Sequence, residues 1–391
     1  MKKKIVMLLS ISLLFLSCNP VLANEDIEPD SIIEDQLQNL NLGELEEVVN
    51  DLNRDAGDYL PRLEVKNIID LFRQEGISGM PAEIIKGLVH YLFDEIIANS
   101  TLLGQLIILA MIVAILKSFQ GNFAGQEVSK LANGIVYLVL VIIALNSFKV
   151  AVTTGTEAIT NMVDIMQAIL PLLLSLLVSM GNVTSAALFH PISFLIVSAL
   201  STLVRNVVFP LIFLATILDI VNNISDEFEV TGLAGLFKQL SMGVLGVIMT
   251  VFMAAIVTQG TIGTVSDGVT IRTAKYLTGT FVPIVGGYLA SALDMIIGGS
   301  LLIKNALGVF SVIIVLIFCS LSVLKIIAMA FIYRLASAII QPVSDPKIVS
   351  CLDKLANSLL LIFASVAAVG LMFFVVIIML VGVANFSVMM R

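Results

Sequence analysis

Charged side chains inside long apolar segments are the residues of this chain that are most able to carry chemistry. A charge at the middle of a bilayer costs roughly 2.5–3.5 kcal/mol on insertion scales, so such residues normally face protein or water. They can form a structural ion pair or line a polar path across the membrane. The residues of this kind are Asp164, Arg205, Asp219, Asp294, Lys304 and Lys325.

Asp294 is the sharpest of these candidates, because it lies near the middle of its hydrophobic block and a carboxylate is too short to reach an interface. It is expected either in an ion pair with a lysine or arginine or on a polar path. Lys304, Arg205 and Lys325 have a further alternative, since long basic side chains can extend from the apolar region to an interface.

Two glycines follow Asp294 by about one helical turn, Gly298 and Gly299. Small residues let membrane helices approach closely, and the same residues can also act as a hinge or a pore constriction. We expect close packing as the default role of this pair. The mechanistic hypothesis is that Asp294, Gly298 and Gly299 shape a conduit at the interface between two repeats of the chain.

The rest of the sequence gives no sign of an enzyme active site. No GxxxxGK phosphate loop, HExxH or GxSxG motif occurs. His90 and His190 each stand alone, which is typical of a satisfied polar residue and not of a catalyst. Cys18, Cys319 and Cys351 have neither metal-ligand spacing nor the pattern of a disulfide framework. We therefore expect no catalytic residue, no metal and no bound cofactor, and any ATP hydrolysis belongs to another chain.

Composition indicates an all-α, polytopic membrane protein. The chain has 391 residues, of which 58% are hydrophobic and 13% are charged, whereas a soluble domain is about 25% charged. Several apolar runs reach the roughly 18 residues needed to cross a bilayer. The absence of a basic region excludes a nucleic-acid-binding role.

The chain begins with a segment that has the pattern of a secretory signal peptide, residues 1–23. A lipidated Cys18 and an uncleaved first membrane helix are the alternatives. Residues 24–100 are acidic, with 18 Asp/Glu against 5 Lys/Arg, and are expected to form a small helical segment outside the cytoplasm. Ile84, Ile85 and Leu88 belong to an apolar face there that could pack on the membrane body, on a partner, on the membrane surface or on its own segment.

The membrane body is predicted to have three parts: a two-helix hairpin over 101–150 and two repeats over 156–260 and 272–387. Landmarks such as Pro171 and Pro283 recur at similar offsets and indicate an internal duplication. Repeats of this kind build many transporters.

Each repeat has a long middle block, interrupted by Arg205 in the first and by Lys325 in the second. If each block is one helix, the total is eight membrane helices and the repeats are inverted. If each is a hairpin, the total is ten and they are parallel. The preferred eight-helix topology places Lys354 in the cytoplasm, and the acidic residues 226–229 and the C-terminus outside.

The block Thr273–Gly308, TAKYLTGTFVPIVGGYLASALDMIIGGSLLIKNALG, is the most distinctive stretch of the chain. With FIYRLASA at 331–338 and Ile340-Gln341-Pro342, it resembles the stage III sporulation protein AE family of endospore-forming bacteria. The order of signal peptide, acidic helical segment and polytopic body is also similar. The resemblance covers essentially the whole chain, but its motif is a family signature that carries no site residues across.

The resemblance implies a membrane subunit of the secretion-like channel between mother cell and forespore, located in the mother-cell membrane around the forespore. Its partners would be a cytoplasmic ATPase subunit and ring-forming subunits of the intermembrane space, and the complex supports late forespore gene expression. Assembly of several copies of this chain into a homo-oligomer is left as a further alternative. The alternatives are a secondary transporter for a small solute and a passive scaffold that recruits the ATPase and the rings.

Overall fold

The computed structural model describes residue 40 and residues 42–57, 59–65, 80–120, 126–224, 230–281, 285–342 and 344–389. The regular structure of these residues is helical and contains no strand, which confirms the all-α polytopic prediction. The α-helices are α1 (Gly43–Ala56), α2 (Met80–Ala98), α3 (Ser100–Gln120), α4 (Gln126–Ser179), α5 (Val183–Leu203), α6 (Phe209–Ile224), α7 (Thr231–Phe281), α8 (Val285–Ile340) and α9 (Pro346–Met389). The predicted signal peptide, residues 1–23, lies outside the described residues.

Six stretches of the described chain are helical, long and apolar enough to cross a membrane. They are Ala82–Val113, Tyr137–Ser179, Val183–Asn222, Thr231–Thr270, Met295–Ile340 and Pro346–Val383. There are six such stretches where eight helices were expected, because α4 and α8 are each one continuous helix across two expected segments. The expected breaks were at residues 149–157 in α4 and at residues 304–305 in α8. The repeat boundaries and the number of crossings stay predictions.

The long helices alternate in direction, so the bundle has two ends. At the first, the hydroxyl of Tyr137 in α4 donates to the carbonyl oxygen of Ile220 in α6 at 3.3 Å. Asp219 of α6 pairs there with Lys238 of α7 and Lys354 of α9. We call this the α6–α7 end, and the opposite one, where α4 finishes and α5 begins, the α4–α5 end.

The ion pair of Asp219 with Lys354 corrects one topological prediction. The expected eight-helix topology separates Lys354 from residues 226–229 by the full thickness of the membrane. Asp219 lies in the last two turns of α6, which ends at Ile224, and its carboxylate is 3.6 Å from Lys354 Nζ. The helix end that leads into 226–229 and the start of α9 therefore share one end of the bundle, and the expected separation is wrong.

The middle block of the first repeat is helical from Val183 to Ile224, without the turn that a hairpin requires. A π-helical turn, Val204–Val208, joins α5 to α6, and the backbone N–H of Phe209 donates to the carbonyl oxygen of Val204. Pro210 explains this turn, because proline has no N–H to continue the α-helical ladder. The block that contains Lys325 is also one helix, α8.

The acidic N-terminal region packs on the membrane body. Helix α1 buries Leu45, Val49, Leu52 and Ala56 in contact with α4 and α8. Helix α2 packs on α8. The expected apolar face of α2 is divided: Ile84 is buried and Ile85 is exposed.

Candidate functional site

One side of α4 carries exposed polar residues along most of its length. Their spacing in multiples of three to four residues places them on one face of an α-helix. From Asn146 to Ser179 there are 179 − 146 = 33 residue steps, which is about 50 Å at roughly 1.5 Å per residue. We call this face the polar stripe, and it consists of Asn146, Lys149, Thr153, Glu157, Asp164, Gln167, Ser175 and Ser179.

The residues around the polar stripe show where it begins and what lies behind it. Exposed apolar residues interrupt it at Val150, Pro171 and Val178. Towards the start of α4 the same face becomes apolar; its exposed residues there are Ile135, Leu138, Val139 and Ile142. The opposite face is buried in the bundle through Ala158, Ile159, Met162, Ile165 and Met166. Helix α4 is therefore amphipathic within a candidate membrane span.

The outer side of α7 has the opposite character. Val247 and Val251 are 63% and 59% exposed. The exposed hydroxyls of Thr250 and Thr258 donate to backbone carbonyl oxygens four residues earlier, at 2.8 and 2.7 Å, so they need no water. Such a surface suits contact with lipid. We call it the apolar face, and it consists of Leu233, Leu236, Leu240, Val247, Val251, Val257, Ile262, Val265 and Val269.

The polar stripe and the apolar face lie at the same height in the bundle. Gly370 of α9 lies against Met162 of α4, and Gly260 of α7 lies against Met379 of α9. Since α7 and α9 run in parallel, the residue of α7 level with Met162 lies 379 − 370 = 9 positions before Gly260, at Val251. The bundle therefore exposes charged residues on one side and valines on another at a single level.

Lys304 of α8 is fully buried. Its ammonium donates to the backbone carbonyl oxygen of Val381 at 2.7 Å and to Oδ1 of Asn385 at 3.2 Å, both in α9. These hydrogen bonds satisfy a charge that the apolar surroundings disfavour. The structure thus places Lys304 between two helices, with its ammonium group bound to α9.

Arg205 lies in the π-helical turn and is half-buried. Its guanidinium donates to Oγ1 of Thr160 in α4 at 2.8 Å. Lys325 is half-buried within the regular α-helix α8, so the local structure around these two cations differs.

Asp219 is the buried acid of the α6–α7 end. It is 6% exposed and lies 2.5 Å from Lys238 Nζ and 3.6 Å from Lys354 Nζ. One carboxylate therefore joins three helices, α6, α7 and α9.

Asp267 of α7 is a buried acid that the sequence reasoning missed. It is 1% exposed, and its two carboxylate oxygens accept hydrogen bonds from the backbone N–H groups of Thr184 and Ser185, both at 2.9 Å. It thus caps the N-terminus of α5 from another helix, where the helix dipole favours a negative charge. Gly263 permits this approach, since a Cβ there would lie 2.5 Å from Ser185 Oγ. The sequence signal was an acid one helical turn after a glycine in an apolar run.

The main sequence candidates around Asp294 do not form a site in the described residues. Asp294 belongs to α8, but its side chain lies outside what the structure describes. Pro283 is also outside it. Gly298 is exposed and a Cβ there would meet nothing within 4 Å, so the expected close packing is absent at this position. Gly299 is half-buried. The role of this group in a conduit stays a prediction.

Close helix contacts occur instead at glycines that the sequence did not single out. Gly155 faces Phe209, Ile362 and Val366, and Gly308 faces Val381 so closely that a Cβ would overlap it. A Cβ at Gly243 or Gly246 would meet nothing within 4 Å, so these two glycines make no such contact.

We expect leucine at Gly308 to reduce the amount of folded protein strongly, because the side chain would force α8 and α9 apart. Leucine at Gly298 of the same helix is the matched control and should leave it unchanged. Membrane protein levels and thermal unfolding in detergent measure both. Equal losses in the two variants would contradict the packing seen at Gly308.

Comparison with known proteins defines the family. The sequence profile of stage III sporulation protein AE matches residues 63–384. The stage III sporulation protein AE of Bacillus subtilis (strain 168) is 39% identical over 362 residues, which cover 93% of this chain and 90% of that protein. The chain belongs to the stage III sporulation protein AE family. No solved structure matches it.

Membership of the stage III sporulation protein AE family confirms the resemblance drawn from Thr273–Gly308. The chain is a sporulation-related, multi-pass membrane protein. The family is not a known enzyme class. Within the described residues, no cluster of three or more His, Cys, Asp or Glu could hold a metal ion.

Proposed function

We propose that this chain is the polytopic membrane subunit of the channel complex that joins mother cell and forespore, and that it contributes the water-facing wall of a conduit. It acts without enzymatic chemistry of its own. The observation that carries the proposal is the polar stripe of α4. At the same height, Glu157 and Asp164 are exposed on one side and Val247 and Val251 on another. Charges inside a membrane normally face a water-filled cavity or the interior of a bundle.

The distribution of cations supports an orientation for the chain. Cytoplasmic ends of membrane helices carry an excess of lysine and arginine. Six cations lie on helix segments near the α6–α7 end: Lys117, Lys130, Lys238, Arg334, Lys347 and Lys354. On the described helix segments near the opposite end there are three, Lys86 near the start of α2 and Arg272 and Lys275 near the end of α7. The α6–α7 end is thus cytoplasmic in our proposal, and the start of α2 and the end of α9 are extracytoplasmic.

This orientation gives each proposed partner a distinct surface. The cytoplasmic ATPase subunit contacts the α6–α7 end, and the ring-forming subunits contact the extracytoplasmic side. The membrane is the mother-cell membrane around the forespore. The support is family membership together with the charge distribution.

Replacing Thr153, Glu157 and Gln167 of the polar stripe by leucine tests the proposal. All three side chains are exposed, so the chain is expected to fold and accumulate normally. Late forespore gene expression and heat-resistant spores should fall by more than an order of magnitude, because an apolar wall disfavours water and ions. Spore counts and a late forespore reporter measure this.

The matched control replaces Val247, Val251 and Val257 of the apolar face by leucine, which keeps a lipid-facing surface apolar. Normal sporulation is expected there. If the stripe variant sporulates normally at the full protein level, the water-facing wall is refuted and the passive scaffold is favoured. Solute uptake by the purified chain alone would favour the transporter.

A further inference from the structure

We propose that the conduit is formed between several copies of this chain, each turning its polar stripe towards a shared lumen, and not through the bundle of any one copy. This inference rests on the proposed function and states where the water path lies. The polar stripe is on the outer surface of the bundle, exposed in the single chain. One copy therefore supplies one wall of the path and cannot enclose it.

At the level of the stripe, the described parts of α4, α6 and α9 leave no room for a path between them. Ile159 and Met162 are fully buried directly behind it. A Cβ at Gly155 would lie 3.1 Å from Phe209 and 3.2 Å from both Ile362 and Val366. The helices α4, α6 and α9 are thus in contact through a filled apolar core, which excludes water.

At this level, the outer surface of the bundle has one side suited to lipid and one side suited to water. The apolar face of α7 is suited to lipid, whereas the stripe of α4 exposes Lys149, Glu157 and Asp164. In a monomer surrounded by lipid, each of these charges that lies at the depth of the hydrocarbon would be in direct contact with it. Assembly of copies with α4 inward and α7 outward keeps the charges in water and the valines in lipid.

Helix α1 is independent evidence for water at this height. It lies beside the stripe, where Asp51 and Asp55 line a 220 Å³ cavity together with Asn161 and Asp164 of α4. The helix also exposes Glu44. A helix with this many charges cannot lie against hydrocarbon, so the space beside α1, in front of Asp164, is aqueous.

The charges of this surface indicate what the lumen favours. The stripe carries Lys149 against Glu157 and Asp164, for a net charge of 1 − 2 = −1 per copy. The exposed charges of α1 add an excess of acids; they are Glu44, Glu47, Asp51, Arg54 and Asp55. Repeated around a ring, this acidic wall concentrates cations and repels anions. The lumen is therefore a path for cations and neutral solutes.

The inference is tested in open membrane fragments prepared from sporulating cells, with single cysteines at two stripe positions, Thr153→Cys and Gln167→Cys. The single cysteines are introduced into a cysteine-free parent variant, in which alanine replaces Cys18, Cys319 and Cys351. This parent variant is used only if it sporulates. Val251→Cys is the control, because it lies on the apolar face at the same height. The probes are a cationic and an anionic membrane-impermeant thiosulfonate of equal size, followed by a water-soluble bis-maleimide.

We expect the cationic reagent to label both stripe positions faster than the anionic one, and neither reagent to label Val251→Cys. The bis-maleimide should join two copies through the stripe positions and leave Val251→Cys as single chains. Labelling of the stripe without cross-linked copies overturns the inference and leaves the proposed function standing. A stripe that resists both reagents overturns the inference and the proposed function together.

Discussion

Replacing Asp219 by alanine is expected to lower the free energy of unfolding by about 3–5 kcal/mol, the usual cost of removing one partner from a buried ion pair. The carboxylate is the shared partner of Lys238 and Lys354, whose side chains are only 25% and 28% exposed. Without it, two partly buried ammonium groups are left facing each other. The measurement is chemical or thermal unfolding of the purified chain in detergent.

Asp353→Ala is the matched control for this prediction. Asp353 pairs with Arg334 at 3.0 Å, but the two side chains are 46% and 57% exposed. Exposed pairs of this kind contribute about 0–1 kcal/mol, so the variant should unfold close to the unmodified chain. A triple variant with Asp219→Leu, Lys238→Met and Lys354→Met should recover much of the lost free energy of unfolding, because it removes all three charges. Equal stabilities of Asp219→Ala and Asp353→Ala would refute the role of the three-helix cluster.

Replacing Asp267 by asparagine is expected to cost about 3 kcal/mol, because hydrogen bonds to a buried charged group contribute about 1.5–3 kcal/mol each. The isosteric amide keeps one acceptor, but its NH₂ group faces a backbone N–H of Thr184 or Ser185, and the negative charge at the N-terminus of α5 is lost. Unfolding in detergent reports the loss of stability.

Hydrogen exchange locates this effect, since the amides of Thr184 and Ser185 should exchange faster when Asp267 is replaced by asparagine. Asp164→Asn is the control, because Asp164 is exposed on the polar stripe and the fold does not depend on its charge. An Asp267→Asn variant that unfolds and exchanges like Asp164→Asn would show that the cap contributes nothing.

The buried acids illustrate why ionisable residues in a membrane sequence are hard to rank. Asp219 and Lys304 were recognised as candidates from their apolar surroundings, and both are buried with partners in the structure. Asp267 was overlooked, although its carboxylate has the better defined geometry. Its partners are backbone N–H groups, which every residue except proline carries, so the sequence does not mark the residues that it caps.

The helix count shows a related limit. Hydropathy falls near Lys149–Glu157, and the sequence was read as two segments joined there, whereas α4 runs through the whole region. Lys149, Thr153 and Glu157 lie on one exposed face, while Ala151, Ala158 and Ile159 on the other face are buried. A hydropathy average over a window of residues mixes the two faces of the helix. The spacing of the polar residues, in contrast, indicates one continuous helix.

The sequence by itself determined that this protein is an all-helical, multi-pass membrane protein, and that it resembles one sporulation family. Long apolar runs leave few alternatives, because in hydrocarbon a helix satisfies its own backbone hydrogen bonds. Only the tertiary structure decided which polar residues face outward on α4, which glycines touch a neighbouring helix and which backbone Asp267 caps. These three features depend on which residues of another helix lie opposite. The local sequence does not specify those residues, because they are distant in the chain.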